Sequence, residues 1–454
     1  MAVIGNSPAT TGTTVSAQSF NGDNSTVNFT LNRSVNSTVD LEVLVDNVQQ
    51  SPYDSSYSVS GTTLTFSSAP ATGTNNIYVI YRGATIATAQ VIPDDGSVTN
   101  AKMASGAALA NVGTGNITAD YLNIGHIGGR RNLIINGAMQ VAQRGTSTSS
   151  YTSDGYSVCD RWMYRVSSLG TWTISKDTSV VPSGFGSSTK WQCTTADASP
   201  AAGDTLTFSQ RLEGQDLQQL KKGLASAEQV TLSFWVRSSK TGTYIVELYD
   251  ADNTRHISKS YTIDSADTWE YKTITYAGDT TGQLANDNGR SLDVNFWLGS
   301  GTNFTSGTLA TSWASVTNAN RAVGQVNLGD SASNNWYITG IQLEVGSVAT
   351  PFERRSYGEE LTACQRYYYE YSSKHVAFGF ATQANQWMYV RFTFPTTMRS
   401  APSVTYNQGS VTGSSNSASP SSVTDDSFYW QLKASTGNND IAAAGTSLTA
   451  SAEL

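Results

Sequence analysis

Apolar and polar residues alternate with a period of two along most of this chain. The pattern is clear in VDLEVLVD at 39–46, VTLSFWVRSS at 230–239 and QWMYVRFTFP at 386–395. Because successive side chains of a strand point to opposite faces, such segments are typical of half-buried β-strands. Charged residues make up only 14% of the sequence, while Ser, Thr, Asn and Gly are abundant, as expected for exposed β-surface and tight turns. The sequence predicts an all-β fold.

Turn residues and changes in composition divide the chain into five segments. Between residues 93 and 131 aromatic residues nearly vanish and small aliphatic residues dominate, which predicts a thin neck intertwined between chains, with a flexible linker as the alternative. The predicted segments are an N-terminal antiparallel anchor β-sandwich at 1–92, the neck at 93–131, a jelly-roll sandwich at 132–353, a junction helix at 354–372 and a distal β tip domain at 373–454.

Charged residues, scarce elsewhere, crowd together between residues 344 and 366. The residues from Ser356 onward predict a short helix whose apolar positions recur at i, i+3 and i+7 on one face. Three such faces could pack about an axis shared by three chains, with the charged residues outward or bridging between chains; a solvated charged turn is the alternative. The residues predicted at the trimer axis, in the neck and in this helix, are Leu109, Val112, Leu361, Cys364 and Tyr368.

Composition excludes several classes of partner. The net charge is −8 and no basic stripe exists, which argues against a nucleic-acid partner. No apolar run approaches the ~20 residues that span a bilayer, and the first residues lack the basic and apolar regions of a signal peptide, so synthesis in a cytosol is expected. Three cysteines do not form a disulfide framework in a chain of 454 residues, and buried free thiols are predicted.

Catalytic and metal-binding patterns are also missing from the sequence. The three histidines, His126, His256 and His375, are far apart and show no metal-ligand spacing. Carboxylates such as Asp250 and Asp252 stand beside turn residues, where they usually form turns rather than act as general acids or bases. No phosphate-binding loop, nucleophile elbow or dinucleotide fingerprint is present. We therefore expect no enzyme activity, no cofactor and no metal.

Aromatic residues, in contrast, are numerous for so polar a chain, with ten Trp and 22 Tyr. An aromatic ring can stack on the C–H face of a sugar while neighbouring polar groups bond the hydroxyls, so this composition suits glycan binding. Trp235 and Trp336 stand in mid-strand and are predicted to be core residues. The predicted receptor-binding residues are Tyr429 and Trp387 in the tip domain and, as second candidates, Trp313 and Trp269 in the jelly roll.

Several motifs in order carry a resemblance to a known family. NLIINGAMQVAQRG at 132–145, LSFWVRSSKTGTY at 232–244 and WYITGIQLEVGSVATPFERRSYGEELTACQRYY at 336–368 resemble the middle module of many tailed-bacteriophage fibre proteins. VLVDNVQQSPYDSSYSVSGTTLTFSSAP at 43–70 and IPDDGSVTNAKMA at 92–104 look like the proximal module that ties such fibres to the tail.

This resemblance implies a homotrimeric fibre in the virion, made in the host cytoplasm. Residues 1–92 would bind the phage tail or an adaptor protein, and the distal end would bind a host cell-surface glycan. The middle module also resembles jelly-roll carbohydrate-binding modules, whose opening and closing strands commonly hold a structural calcium. Here Gln140 and Gly340 stand where those modules have acids, so no calcium is expected.

Two alternatives remain open from the sequence. A tailspike depolymerase would cut host surface polysaccharide with paired carboxylates on a long β-helix, but no short coil repeat is visible. A secreted bacterial sugar-binding module would carry a signal peptide and be monomeric. The structural fibre is the preferred interpretation.

Overall fold

The computed structural model describes residues 16–82, 131–372, 375–414 and 419–454. The chain divides into two compact units, residues 1–113 and 114–454. Most of the predicted neck, including Leu109 and Val112, lies outside the described residues. Among the described residues, no helix is long and apolar enough to cross a membrane.

The first unit is a small antiparallel structure of six strands. Its four-stranded sheet has the order β1-β6-β3-β4, and β2 pairs with β5 in a second sheet. The core holds apolar residues of both sheets, with Val43, Leu64, Ile77 and Val79 fully buried. The strands are β1 Ala17–Gly22, β2 Asn28–Val35, β3 Leu41–Val45, β4 Val48–Gln50, β5 Tyr57–Phe66 and β6 Gly73–Tyr81.

In the second unit, residues 131–353 form a β-sandwich, called here the middle sandwich. One sheet has six strands in the order β16-β13-β19-β11-β10-β7, and the other has seven in the order β18-β15-β14-β17-β12-β9-β8. The strands are β7 Ser147–Tyr151, β8 Gly155–Tyr156, β9 Met163–Ser167, β10 Thr171–Asp177, β11 Ser188–Thr195, β12 Thr205–Glu213, β13 Val230–Ser238, β14 Gly242–Asp250, β15 Arg255–Ile263, β16 Glu270–Tyr276, β17 Arg290–Ser300, β18 Ala314–Ser315 and β19 Asn335–Val345.

Short helical segments interrupt these strands. A helix spans Thr302–Thr305, and 3-10 helices span Thr38–Asp40 in the first unit and Gly214–Leu220, Asn318–Asn320 and Leu328–Asp330 in the middle sandwich. The helical interruption predicted at 210–223 is therefore present as a shorter 3-10 helix, because β12 runs on to Glu213.

Large aromatic residues fill the space between the two sheets of the middle sandwich. Trp162 stacks on Phe208 with ring centroids 4.4 Å apart, and Trp336 meets the same phenyl ring edge-on at 5.9 Å. Trp336 is fully buried, as predicted. The prediction for Trp235 is wrong: it alternates with the buried Phe234, so its half-buried ring lies on the outer face, 5.3 Å from the ring of Tyr271.

Described residues from 368 to 454 form a second sandwich in the same unit, called here the terminal sandwich. In one sheet the long β26 is central, with β20 and β21 along one side and β23 along the other; the second sheet has the order β22-β25-β24. Phe428, Leu432, Ile441 and Leu448 are buried between them. The strands are β20 Tyr368–Tyr371, β21 His375–Ala381, β22 Trp387–Thr393, β23 Ser403–Thr412, β24 Ser419–Ser421, β25 Ser427–Lys433 and β26 Asn439–Ser451.

The helix predicted from Ser356 joins the two sandwiches and spans Tyr357–Gln365, called here the junction helix. Ser356 caps it: its hydroxyl accepts from the Glu359 N–H, and the Glu359 carboxylate accepts from the Ser356 N–H. Because these groups satisfy otherwise free N–H donors, the helix begins at a fixed residue.

Two of the residues predicted at a trimer axis, Cys364 and Tyr368, are covered within a single chain. Cys364 is 0% exposed and Tyr368 is 8% exposed within a single chain, while Leu361 is half-buried. The guanidinium of Arg144 lies 3.5 Å from the centre of the Tyr368 ring. Since Cys364 and Tyr368 are already covered by their own chain, they offer almost no surface to a second one.

Charged side chains of the junction form contacts within their own chain. Arg366 donates two hydrogen bonds to Glu213 at 2.9 and 2.8 Å. Glu360 accepts from the Asn136 N–H at 2.5 Å, and Glu353 accepts from the Asn132 N–H at 2.6 Å. This charged stretch therefore fixes the junction helix and its flanks to the middle sandwich.

Candidate functional site

The outer face of sheet β22-β25-β24 carries both aromatic residues that the sequence placed first among the receptor contacts. Side chains at alternate positions of a strand share a face, and Met388, Val390 and Phe392 pack on the core of the terminal sandwich. The strand register pairs Trp387 with Lys433, Tyr389 with Gln431 and Arg391 with Tyr429. The residues of the outer face are therefore Trp387, Tyr389, Arg391, Tyr429, Gln431 and Lys433.

Three aromatic rings on this face are open to solvent: Trp387 is 42% exposed, Tyr389 56% and Tyr429 39%. The Trp387 and Tyr389 rings are stacked with centroids 6.5 Å apart, and Tyr389 meets Tyr429 edge-on at 6.3 Å. We call these three residues the aromatic face. Exposed rings in contact with one another cost solvation unless a ligand covers them, so the arrangement suits stacking on a flat apolar surface such as the C–H face of a sugar.

Polar groups border the aromatic face. The ammonium of Lys433 lies 5.7 Å from the centre of the Trp387 ring. Arg391 donates to Asp426 at 3.4 Å, and both side chains are 54% exposed. The Thr424 hydroxyl donates to Asp426 at 2.5 Å and lowers the pKa of that carboxyl. Donors and an acceptor therefore stand beside the rings, as hydroxyl recognition requires.

The Trp387 edge of the aromatic face lies at the end of the terminal sandwich remote from the junction helix. β26 pairs with β20, next to the junction, at residues 448–451, and with β21 at residues 439–445. Trp387 begins β22 just after the turn that follows β21, and its partner Lys433 precedes the turn into β26. Trp387 and Lys433 thus lie at the distal end.

A second candidate site, which is concave, lies on the seven-stranded sheet of the middle sandwich. It is a cleft of about 270 Å³. At its base Glu247 is fully buried. The cleft is lined by Asp154, Arg165, Ser167, Gly203, Thr205, Thr207, Asn295, Trp297, Phe304 and Arg321.

Both carboxylate oxygens of Glu247 are occupied by neighbouring donors. Arg321 donates from Nε at 2.7 Å and from Nη2 at 2.8 Å, while His256 Nδ1 lies 3.0 Å away. Asn295 and Trp297 also donate, at 3.1 and 3.3 Å. Burial alone would raise the pKa of Glu247, but the hydrogen bond from His256 and the charge of Arg321 outweigh it and hold the pKa at about 2. An ionised, fully bonded carboxylate is a poor general acid or base near neutral pH.

The tryptophan of the cleft is covered rather than open to solvent. Trp297 is only 2% exposed, since Phe304 packs on it at 5.3 Å and the Arg321 guanidinium lies 5.2 Å from its ring centre. The pair Asp154–Arg165 stands at the rim, with side chains 39% and 41% exposed. The cleft is therefore a polar groove built for hydrogen bonding rather than stacking.

The other two predicted contacts, Trp269 and Trp313, are half-buried in the middle sandwich. The Trp313 N–H donates to the Ala277 carbonyl at 2.7 Å, and the Trp269 ring lies 6.2 Å from that of Tyr337. Trp269 precedes β16 and Ala277 follows it, so the two indoles lie near opposite ends of one strand. The structure thus brings Trp387 and Tyr429 together and leaves Trp269 and Trp313 apart.

Tyr389 was missed by the sequence reasoning. It links Trp387 to Tyr429, and its position two residues after Trp387 in an alternating strand was the available signal.

Gln140 and Gly340, which stand where carbohydrate-binding modules have the acids of a calcium site, carry no carboxylate. The ammonium of Lys176 donates to the main-chain oxygen of Gln140 at 2.5 Å. Over the described residues, no three His, Cys, Asp or Glu side chains are grouped so that they could hold a metal ion. Cys159, Cys193 and Cys364 are free and buried, as predicted; burial raises the pKa of the Cys159 thiol to about 12.

Neither the protein-family models nor the curated proteins compared with this chain match it. Among solved structures, the enzymatically active domain of tailspike protein 4 of bacteriophage CBA120 is 13% identical with a TM-score of 0.25, over 47% of this chain and 21% of that chain. TmCBM61 in complex with β-1,4-galactotriose is 10% identical with a TM-score of 0.25, over 48% of this chain and 99% of that chain. A family 11 carbohydrate-binding module of Clostridium thermocellum in complex with a β-1,3-1,4-mixed-linked tetrasaccharide is 12% identical with a TM-score of 0.23, over 45% of this chain and 97% of that chain. Similarity at this level assigns no function to the chain.

Proposed function

We propose that this protein is a structural tail fibre of a bacteriophage that binds a host-surface glycan through its aromatic face. The observation that carries the proposal is the cluster of three exposed rings, Trp387, Tyr389 and Tyr429, on one outer sheet face. The fibre assignment rests on the sequence motifs that resemble tail-fibre modules. In this proposal the fibre is a homotrimer in the virion, attaches to the tail through residues 1–92 and has no catalytic activity.

The aromatic face is preferred to the cleft as the receptor site for two reasons. Stacking on a sugar requires an open ring, which Trp387 provides and the covered Trp297 does not. The distal position also matters, because the remote end of a fibre is the part presented to the cell. The cleft remains the second candidate, favoured by its hydrogen-bonding side chains such as Arg165 and Asn295.

Weak sites suffice for adsorption if three chains act together. A stacking contact contributes about 1 kcal/mol, but tethered copies rebind at a high effective concentration and so gain avidity. The chain carries a net charge of −8, so long-range attraction to an anionic envelope cannot drive binding. Stacking and hydrogen bonds at short range are the remaining source of affinity.

A glycan array and a cell-adsorption assay with the full chain test this proposal. Trp387→Ala and Tyr429→Ala should each weaken binding about 5-fold per site, which corresponds to about 1 kcal/mol. Tyr271→Ala is the matched control, because Tyr271 is also an exposed aromatic residue, at 44%, but lies on the middle sandwich.

The outcomes separate the alternatives. If the aromatic-face variants bind as the wild type does while Arg165→Ala loses binding, the receptor site is the cleft. Release of reducing ends from host polysaccharide would instead identify a depolymerase. A monomer at 48.4 kDa by light scattering would contradict the fibre and favour a secreted sugar-binding module.

A further inference from the structure

A pair of exposed phenylalanines lies on the side of the terminal sandwich opposite the aromatic face. Phe378 is 66% exposed and Phe380 is 56% exposed, both on β21 and two residues apart, so they share the outer face of their sheet. Gly379 between them faces inward, where a Cβ would lie 1.9 Å from the Met388 methyl carbon. Met388 leaves no room for a side chain on the inner face at Gly379, and the two phenyl rings on either side of this glycine point outward.

The surroundings of this pair differ from those of the aromatic face. The register sets Phe378 beside Ala442 and Phe380 beside Asp440, and Thr412 lies across β26 from Ala442. A phenyl ring has no hydroxyl or N–H to orient a sugar hydroxyl, whereas Trp387 and Tyr389 do. Apart from Asp440, these neighbours are small and uncharged, and exposed aromatic rings among few charges are typical of the centre of a protein interface.

The exposed area suits the centre of an interface between subunits. At about 200 Å² for a Phe side chain, exposures of 66% and 56% leave roughly 250 Å² of aromatic surface per chain. A stable interface covers ~800 Å² on each partner, so the phenyl pair would form about a third of one. β21 also pairs only with β26 among the described strands, and an unpaired strand edge is normally covered.

We propose that the outer face of β21 around Phe378 and Phe380 is the contact between copies of this chain in the fibre. The inference rests on the proposed fibre function and names the surface at which its subunits meet. A second copy is the occupant that the chemistry favours, because an apolar patch repeated on identical chains can be buried by closed rotational symmetry. This contact replaces the axis predicted at Cys364 and Tyr368, which are covered within their own chain.

Light scattering of the full chain over a range of concentrations tests the contact. Phe378→Ser with Phe380→Ser should raise the concentration for half-association roughly 30-fold or more, the effect expected for removal of an interface hot spot. Tyr389→Ser is the matched control, since Tyr389 is equally exposed, at 56%, but lies on the aromatic face; it should associate as the wild type does. Near-UV circular dichroism checks that each variant is folded.

Photocrosslinking tests the same contact without depending on whether the double serine variant folds. p-Benzoylphenylalanine incorporated in place of Phe380 should crosslink one chain to another, and the same probe in place of Tyr389 should not. An associated protein that shows no interchain crosslink from position 380, or a folded double variant that associates normally, overturns the proposed contact but leaves the fibre intact. A monomeric wild type overturns the fibre and this contact together.

Discussion

Arg161 and Glu453, 292 residues apart in sequence, form a buried ion pair between the middle and terminal sandwiches. The side chains are 0% and 7% exposed. Arg161 also stacks over the Tyr367 ring at 3.4 Å and donates to the Arg211 carbonyl at 2.6 Å. Arg144 donates to the other carboxylate oxygen of Glu453 at 3.0 Å. Glu453, which follows directly after β26 of the terminal sandwich, thus neutralises Arg161 of the middle sandwich.

This relationship decides how the terminal sandwich can be studied. Truncation after Ala363 would remove the proposed receptor site but would also remove Tyr367 and Glu453, which cover and neutralise Arg161. Loss of binding by such a fragment would therefore not locate the receptor site, and point variants of the outer faces are the better experiment.

Glu453→Ala should destabilise the second unit by ~3–5 kcal/mol, because it leaves the Arg161 charge buried and unpaired. Chemical denaturation followed by fluorescence measures the loss. The control is Asp154→Ala, which breaks the half-exposed pair with Arg165 and should cost under ~1 kcal/mol. Equal effects of the two substitutions would show that Glu453 is not needed to neutralise Arg161.

Glu247→Gln should reduce stability by about 3 kcal/mol at pH 7, a value that follows from a pKa of about 2 in the folded chain against an ordinary 4.5. A depressed folded-state pKa adds stability above pH 4.5, and this stability is lost as the pH falls towards 2. The groups facing the carboxylate are His256, Arg321, Asn295 and Trp297.

The measurement for Glu247 is the difference in unfolding free energy between wild type and variant across this pH range. This difference in unfolding free energy should have its full value at pH 6 and vanish near pH 2. Glu228→Gln, which affects an exposed pair with Lys221, should show a small difference at every pH. If the difference in unfolding free energy between wild type and Glu247→Gln does not decrease on acidification, the Glu247 charge does not have the assigned role.

Gly340→Ala should destabilise the middle sandwich by ~1–3 kcal/mol. Gly340 has φ +65°, and a Cβ there would lie 2.6 Å from the Phe185 ring. The residue interrupts the pairing of β13 with β19, where the register shifts between Ser233 and Trp235. Gly186→Ala is the control, because nothing lies within 4 Å of its Cβ position; its thermal midpoint should stay unchanged, and a similar drop for both variants would contradict the steric argument.

Trp387→Phe should lower the fraction of tryptophan emission that iodide can quench. Trp387 is the only indole among the large exposed residues of the described chain, and iodide does not enter apolar interiors. Trp430→Phe is the control, since Trp430 is 6% exposed and should contribute little quenchable emission. A glycan bound at the aromatic face should protect Trp387, and equal quenching with and without a tightly bound glycan would place the ligand elsewhere.

Much of the fold was readable from the sequence because its signals are local. Alternation identified the strand that begins at Trp387, and the i, i+3 and i+7 spacing identified a helix from Ser356; both are present. The two faces of a strand are not distinguished by alternation, however. Trp235 was assigned to the core, although its neighbour Phe234 is the buried residue, because an apolar run on adjacent positions does not say which side faces the second sheet.

Strand periodicity and composition were enough to predict an all-β chain, free buried cysteines and an aromatic-rich C-terminal segment, since both depend only on neighbouring residues. The shared face of Trp387, Tyr389 and Tyr429, and the burial of Cys364 and Tyr368 within their own chain, became visible only in the folded chain. It also joined Arg161 to Glu453 across 292 residues. Such contacts follow from strand register and from how the two sandwiches pack, and neither leaves a periodic signal in the sequence.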